Sequence, residues 1–220
     1  MGSNMVSFLA SSFKEGGWGM WVIAFWSIFV IAVIIERSIV LFKASINKDA
    51  FLNMVQKLIL AGDIRGAIKA CSGTEAPLAR IVKAGLINVS RPDAEVQAAM
   101  DQQALRELPR IETRTGYLSM LSNLAMLSGL LGTVSGLIKS FTAVAGVDPS
   151  AKATMLAQGI SEAMNCTAFG LIVAISGLIG YALLNGKTQT LIDDINESSV
   201  YVLNLVVNNR NKVNLPPAGL

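Results

Sequence analysis

A chain of 220 residues in which 52% of side chains are hydrophobic and only 15% are charged does not have the composition of a soluble domain. With no histidine, zinc sites of the His type and His-based catalysis are excluded, and a formal net charge of +3 is too small to read as a nucleic-acid footprint. Cys71 and Cys166 are the only cysteines; they fall in a loop region and an apolar window respectively, so no structural disulfide is expected.

Taken in chain order, residues 1–17 open with a short amphipathic stretch carrying Met5, Phe8, Leu9 and Phe13, expected to lie on the outer membrane surface. Gly16 to Ile35 is free of charge, and a first transmembrane helix is expected over 18–42, since about 20 apolar residues suffice to cross a bilayer. It is too long for the apolar core of a signal peptide and has no small-residue cleavage site after it, so it is expected to be retained. Trp18 and Trp21 suit an interfacial aromatic belt. Residues 43–114 form a helical domain by pattern: Phe51, Val55, Leu58 and Ile59, then Ile64, Ala67 and Ile68, recur at helical spacing on either side of Gly62–Asp63. Pro77 marks a helix start, and "RPDAEVQAAMDQQALRELPRIETRTG" predicts a long helix running into the second span with a kink at Pro109. A second transmembrane helix is expected over 115–144, a short outer loop over 145–157 and a third transmembrane helix over 158–185. Residues 186–220 are expected to hold a helix to about Asn211 and then a frayed end at Pro216–Pro217. The fold class is therefore all-α, an integral membrane protein with three transmembrane helices and long helices extending beyond the membrane.

Lysine and arginine near the span ends set the expected orientation. Arg37, Lys43 and Lys48 follow the first span, Arg106, Arg110 and Arg114 precede the second, and Lys187 follows the third. The other side carries Lys14, Lys152 and Lys139, the last able to snorkel outward. The N-terminus is thus expected outside, in the periplasm if the host is bacterial, with the 43–114 domain and the C-terminus in the cytoplasm.

The second and third spans carry small-residue stripes. Ser122, Ala125, Gly129, Thr133, Gly136 and Ser140 recur at three- and four-residue steps in one, and Ala163, Thr167, Gly170, Ala174 and Gly177 in the other. Close helix approach is the plain reading, with Gly129, Gly132, Gly136, Gly170 and Ala174 as the partner- or ring-packing positions. Thr133 and Thr167 can bond their own backbone or line a polar path, and both readings stand. Glu162, followed by no charge until Lys187, lies roughly 90° from the centre of its stripe by the 3.6-residue turn. An intramembrane acid is costly enough to be a functional candidate, although the N-terminal dipole of its own helix would also favour it. One carboxylate near one end cannot relay protons across a bilayer, so a second chain or a water file would have to complete the path. "NVS" at 88–90, "NCT" at 165–167 and "GTVSGLIKS" match glycosylation and phosphate-loop patterns only superficially.

In this order the segments "IIER", "LAGDIRGAIKAC", "APLARIVKAGL", "GLLGTVSGLI" and "GISEAMNCTAFGLIVAI" resemble the ExbB/TolQ/MotA proton-channel family, in its three-span ExbB/TolQ branch. The resemblance covers most of the chain, and the last two segments are the specific ones. It implies a subunit of the bacterial inner membrane that forms a ring, expected as a homopentamer, around a dimer of a single-span ExbD/TolR-like partner. That partner would supply the membrane aspartate that carries the proton, and a TonB/TolA-like third component would receive the work. Matched position by position, Thr133, Glu162 and Thr167 are the pore-lining residues; no cofactor, metal or nucleic acid is implied, and membrane lipids surround the ring. The chain departs from the family pattern at Met126, Ser128, Lys139, Asn165 and Ser176, and the loss of prolines at Met126–Ser128 and Ser176 predicts straighter helices. Iron-siderophore uptake, outer-membrane constriction and a gliding-type motor all stay open as the powered task, with proton or sodium as the ion. The competing reading is a scaffold ring that conducts nothing. A small-molecule transporter would need broken helices or inverted repeats, and an enzyme would need a nucleophile–base or metal set that the chain lacks.

Overall fold

The structure, a computed structural model, describes residues 16–145 and 148–209. The expected amphipathic stretch with Met5, Phe8, Leu9, Phe13 and Lys14, and the expected frayed end at Pro216–Pro217, lie outside the described residues. Among the described residues, seven α-helices follow in order: α1 (Gly17–Ala44), α2 (Lys48–Leu60), α3 (Ile64–Ser72), α4 (Pro77–Ile87), α5 (Asp93–Glu112), α6 (Thr115–Val144) and α7 (Pro149–Asn208). Three helical stretches, Gly17–Leu60, Asp93–Val144 and Pro149–Asn208, are long and apolar enough to cross a membrane. No strand occurs among the described residues.

The chain divides into two compact units: residues 1–36 with 115–183, and residues 37–114 with 184–220. In the second unit the local chemistry explains the helix ends. Asn47 accepts from the Ala50 amide at 3.1 Å and Asp63 from the Gly66 amide at 2.8 Å, each an N-cap that satisfies a free amide of the first turn. Gly62, with φ 76°, makes the left-handed turn between α2 and α3 that a side chain would resist. Pro77 starts α4 at a position where a missing N–H costs nothing. The helices close over a core of Val55, Ile59, Ile81, Val82, Leu86 and Val96, joined by Ile195 and Val202 from the last part of α7.

Two polar anchors complete this unit. Arg37, 3% exposed, donates from Nη1 to the carbonyls of Ile111 at 3.2 Å and Arg110 at 3.5 Å, satisfying acceptors that the end of α5 leaves open. Lys48 donates to Asp194 at 3.0 Å and Glu197 at 2.6 Å, and these bonds, that to Glu197 foremost, push its pKa well above the ordinary lysine value. Burial pushes the Cys71 thiol up to about 11.

The sequence expectations differ from the structure in two places. The expected continuous helix into the second span is interrupted: α5 retains Pro109 in its last turn, ends at Glu112, and Thr113–Arg114 form a turn before α6. The expected outer loop over 145–157 is largely helix, because α7 begins at Pro149 and runs unbroken for 60 residues. "DPS" at 148–150 is the missed signal, with Asp148 at the cap accepting the Ala151 and Lys152 amides and proline at the first helical position. The same helix then continues through the expected boundary at 185–186 to Asn208.

Candidate ion-pathway residues

Residues 1–36 and 115–183 pack through small side chains. Buried positions on α6 are Leu118, Ser122, Ala125, Gly129, Gly132, Gly136 and Ser140; on α7 they include Ala163, Cys166, Gly170 and Ala174. A Cβ added to Gly170 would lie 2.9 Å from the Gly129 Cα and 3.0 Å from the Ala125 carbonyl oxygen. One added to Gly136 would lie 3.2 Å from the Ala163 Cβ. Backbone meets backbone here, the contact that glycine allows between membrane helices.

The buried stripes follow the expected ones except at one position on each helix. Gly132 and Cys166 occupy the centre of the interface, and Thr133 and Thr167 sit half-buried beside it. Cys166 was absent from the expected stripe, yet its Sγ lies 2.9 Å from the Gly16 carbonyl oxygen, and a Cβ on Gly132 would come within 2.9 Å of the Cys166 Cβ. A Cβ on Gly19 would likewise meet the Cys166 sulfur at 3.1 Å and the Gly132 Cα at 3.3 Å, so the start of α1 seats against this point of the hairpin. Cysteine is a small hydrophobe in such a place, and its size was the signal available in the sequence.

The two threonines meet. Thr133 Oγ1 is hydrogen-bonded to Thr167 Oγ1, and also donates toward the Gly129 carbonyl at 3.1 Å and the Ala163 carbonyl at 3.2 Å. A hydroxyl has one proton to give, so these are alternatives between which it can switch. The expected bond to the helix's own backbone and a cross-helix bond that the sequence did not suggest are thus both within reach of the same oxygen.

Glu162 is placed elsewhere. It lies on the side of α7 that faces the start of α1: the space a Cβ on Gly17 would need is taken by its carboxylate, whose Cδ would stand 2.8 Å away. Gly17 has φ 63° and is the first residue of α1, so the acid lies at the positive end of that helix's dipole. Its own helix begins 13 residues earlier, which corrects the expectation that the dipole of α7 favours it. Lys139 Nζ approaches Glu162 Oε1 to 3.9 Å in place of the expected free outward snorkel. A groove of about 550 Å³ lined by Thr154, Ala157, Gln158 and Ser161 opens beside the carboxylate. Within one chain, then, Thr133 and Thr167 are brought together and Glu162 is not among their hydrogen-bond partners.

The departures from the family pattern have structural partners. Ser128 accepts from Trp26 Nε1 at 3.0 Å while donating to the Leu124 carbonyl, and Ser176 donates to the Ile172 carbonyl at 2.8 Å. Both helices run uninterrupted through Met126 and Ser176, the two positions where the family pattern has proline. Gly129, Gly132, Gly136, Gly170 and Ala174 are all buried. No cluster of metal-ligating side chains occurs among the described residues.

Comparison with known proteins places this arrangement. The family described as the MotA/TolQ/ExbB proton channel family matches residues 73–197, a segment that contains Thr133, Glu162 and Thr167. The chain is 30% identical over 154 residues to the biopolymer transport protein ExbB-like 3 of Synechocystis, covering 70% of this chain and 73% of that protein. It is 32% identical over 111 residues to the Tol-Pal system protein TolQ of Haemophilus influenzae, covering 49% of this chain and 48% of that one. With the biopolymer transport protein ExbB of Salmonella typhimurium it shares 32% over 117 residues, 47% of this chain and 48% of that one. With its three long apolar helices and this match, the chain is a multi-pass inner-membrane protein that belongs to the MotA/TolQ/ExbB proton channel family.

Proposed function

We propose that the chain is the ring subunit of an inner-membrane motor driven by the proton-motive force, with its N-terminus periplasmic and its C-terminus cytoplasmic. Five copies surround a dimer of a single-span ExbD/TolR-like protein, whose membrane aspartate carries the proton, and a TonB/TolA-like component takes the work to the envelope. Within this reading Thr133 and Thr167 are the polar step of the pathway, Glu162 marks its outer part, and the chain itself performs no enzymatic chemistry.

The observation that carries this reading is the threonine pair that meets across the hairpin of α6 and α7. A hydroxyl that can turn its hydrogen bond among Thr167, Gly129 and Ala163 can also turn toward a proton carrier or a water without being left unsatisfied. The apolar helices supply the second support. At most 28% of any apolar window is buried within the chain, leaving faces for lipid and for further copies.

The scaffold reading draws on the same contact. Because Thr133 is fully satisfied inside one chain, the pair can be read as a helix clamp with no ion near it. The triple variant Thr133→Ala, Thr167→Val and Glu162→Gln separates the two. It should assemble, as judged by native mass spectrometry, and lose motor-dependent envelope function. Full function in the triple variant would leave the scaffold as the better account. Native mass spectrometry of the particle purified from its own membrane should also find a small single-span protein inside the ring.

A further inference from the structure

Lys139 is the only charged side chain between Arg114 and Asp148. Placed on α6, it has an ordinary structural excuse in the form of snorkelling, but its ammonium is directed at Glu162 Oε1, 3.9 Å away. The lysine side chain is 71% exposed and the glutamate 24%. Thr154, Gln158 and Ser161, whose side chains carry hydroxyl and amide oxygens, line the same groove as Glu162. The start of α1 brings the backbone at Gly17 against the carboxylate, and among the described residues Lys139 is the charged side chain that a neighbouring helix brings within 4 Å of the acid.

A carboxylate among hydroxyl and amide oxygens is the donor chemistry that hard cations take, and an alkali cation held there would need several such oxygens at once. A tethered ammonium competes for the same charge and the same space. A proton is different: it adds to one carboxylate oxygen and needs no shell of ligands. We propose that Lys139 is a specificity-determining residue, a built-in counter-cation to Glu162 that keeps sodium out of the oxygen-lined groove and leaves the proton as the ion the pathway accepts. This rests on the reading of Glu162 as part of the ion pathway.

The test is binding of radioactive sodium to the full chain in lipid nanodiscs at fixed pH. Wild type and Lys139→Arg should show no saturable binding in the millimolar range. Lys139→Gln and Lys139→Met should bind sodium at least about tenfold more tightly than wild type, as loss of a like charge at this range supports, and Glu162→Gln added to either should abolish it. Saturable sodium binding by the wild type that Glu162→Gln removes would overturn the proposal. So would an uncharged variant that assembles normally and binds no better than wild type. The pathway reading fails separately, through intact envelope activity in Glu162→Gln alone, an assay that does not depend on sodium.

Discussion

In the unit of residues 37–114 and 184–220, Val55, Ile59, Ile81, Val82 and Leu86 are each at most 1% exposed and fill the centre with branched and long side chains. In the unit of residues 1–36 and 115–183, the corresponding positions are Gly129 on Gly170 and Gly132 on Cys166. The difference follows from the surroundings each is built for. In water, apolar volume is what drives closure, so large side chains are used. Between helices that lipid would solvate equally well, only close contact and hydrogen bonds favour association, so side chains shrink and hydroxyls appear. The polar groups divide in the same way. Arg37, Glu107 and Lys48 hold one unit through charged pairs and helix-end carbonyls, while Ser122, Ser128, Thr133 and Ser140 in the other bond the carbonyl four residues back.

Substitutions can break this contrast in a graded order. Ile59→Ala should cost about 2–5 kcal/mol by leaving a cavity in the large-residue core, read as a lowered urea midpoint for the helical signal. Arg37→Met should cost about 1.5–3 kcal/mol, since two carbonyls at the end of α5 lose a charged donor; thermal unfolding followed by circular dichroism checks it. Gly170→Ala should cost about 1–3 kcal/mol, because its Cβ would stand 2.9 Å from the Gly129 Cα and the helices must part. The same change on an exposed face, at Gly186, meets nothing within 4 Å and should be neutral or stabilising, so equal effects at the two sites would refute the close-contact account. Asp63→Ala should cost about 0.5–2 kcal/mol by uncapping α3.

The smallest effect is one of pH. Cys71 is held protonated by burial, with its pKa raised from 9.0 to about 11. A raised pKa contributes stability that is complete below the unfolded value and disappears as pH climbs through the folded one, so the loss should fall between about 9 and 11. A Cys71→Ala chain should show a flatter stability profile in that window. A native Cys71 that alkylates at pH 8 as fast as a free thiol would contradict the burial.

Much of this was readable in the residues. The charge-free windows and the Gly62–Asp63 and Pro77 signals name the apolar helices and the starts of α3 and α4, because hydropathy and capping are local properties. The family was readable from "GLLGTVSGLI" and "GISEAMNCTAFGLIVAI", and the match over 73–197 bears that out. The start of α7 at Pro149 was also written locally, in Asp148–Pro149, but a length-based outer loop hid it. The interruption at Thr113–Arg114 had a local signal too, since Thr113, Thr115 and Gly116 are weak helix formers, but propensity alone does not say where a helix breaks.

Sequence alone determined which residues lie in apolar helices, which are small, and that one acid and two threonines interrupt them. Tertiary structure decided which of these touch. Gly132 and Cys166 take the centre of the stripe, Thr133 finds Thr167, and Glu162 turns to Gly17 and Lys139. The physical reason is that periodicity specifies a face only to within a residue or so, whereas a contact at 3 Å depends on the rotation and depth at which two helices settle. A stripe of glycines permits several such settings, and the side chains of neighbouring helices select among them.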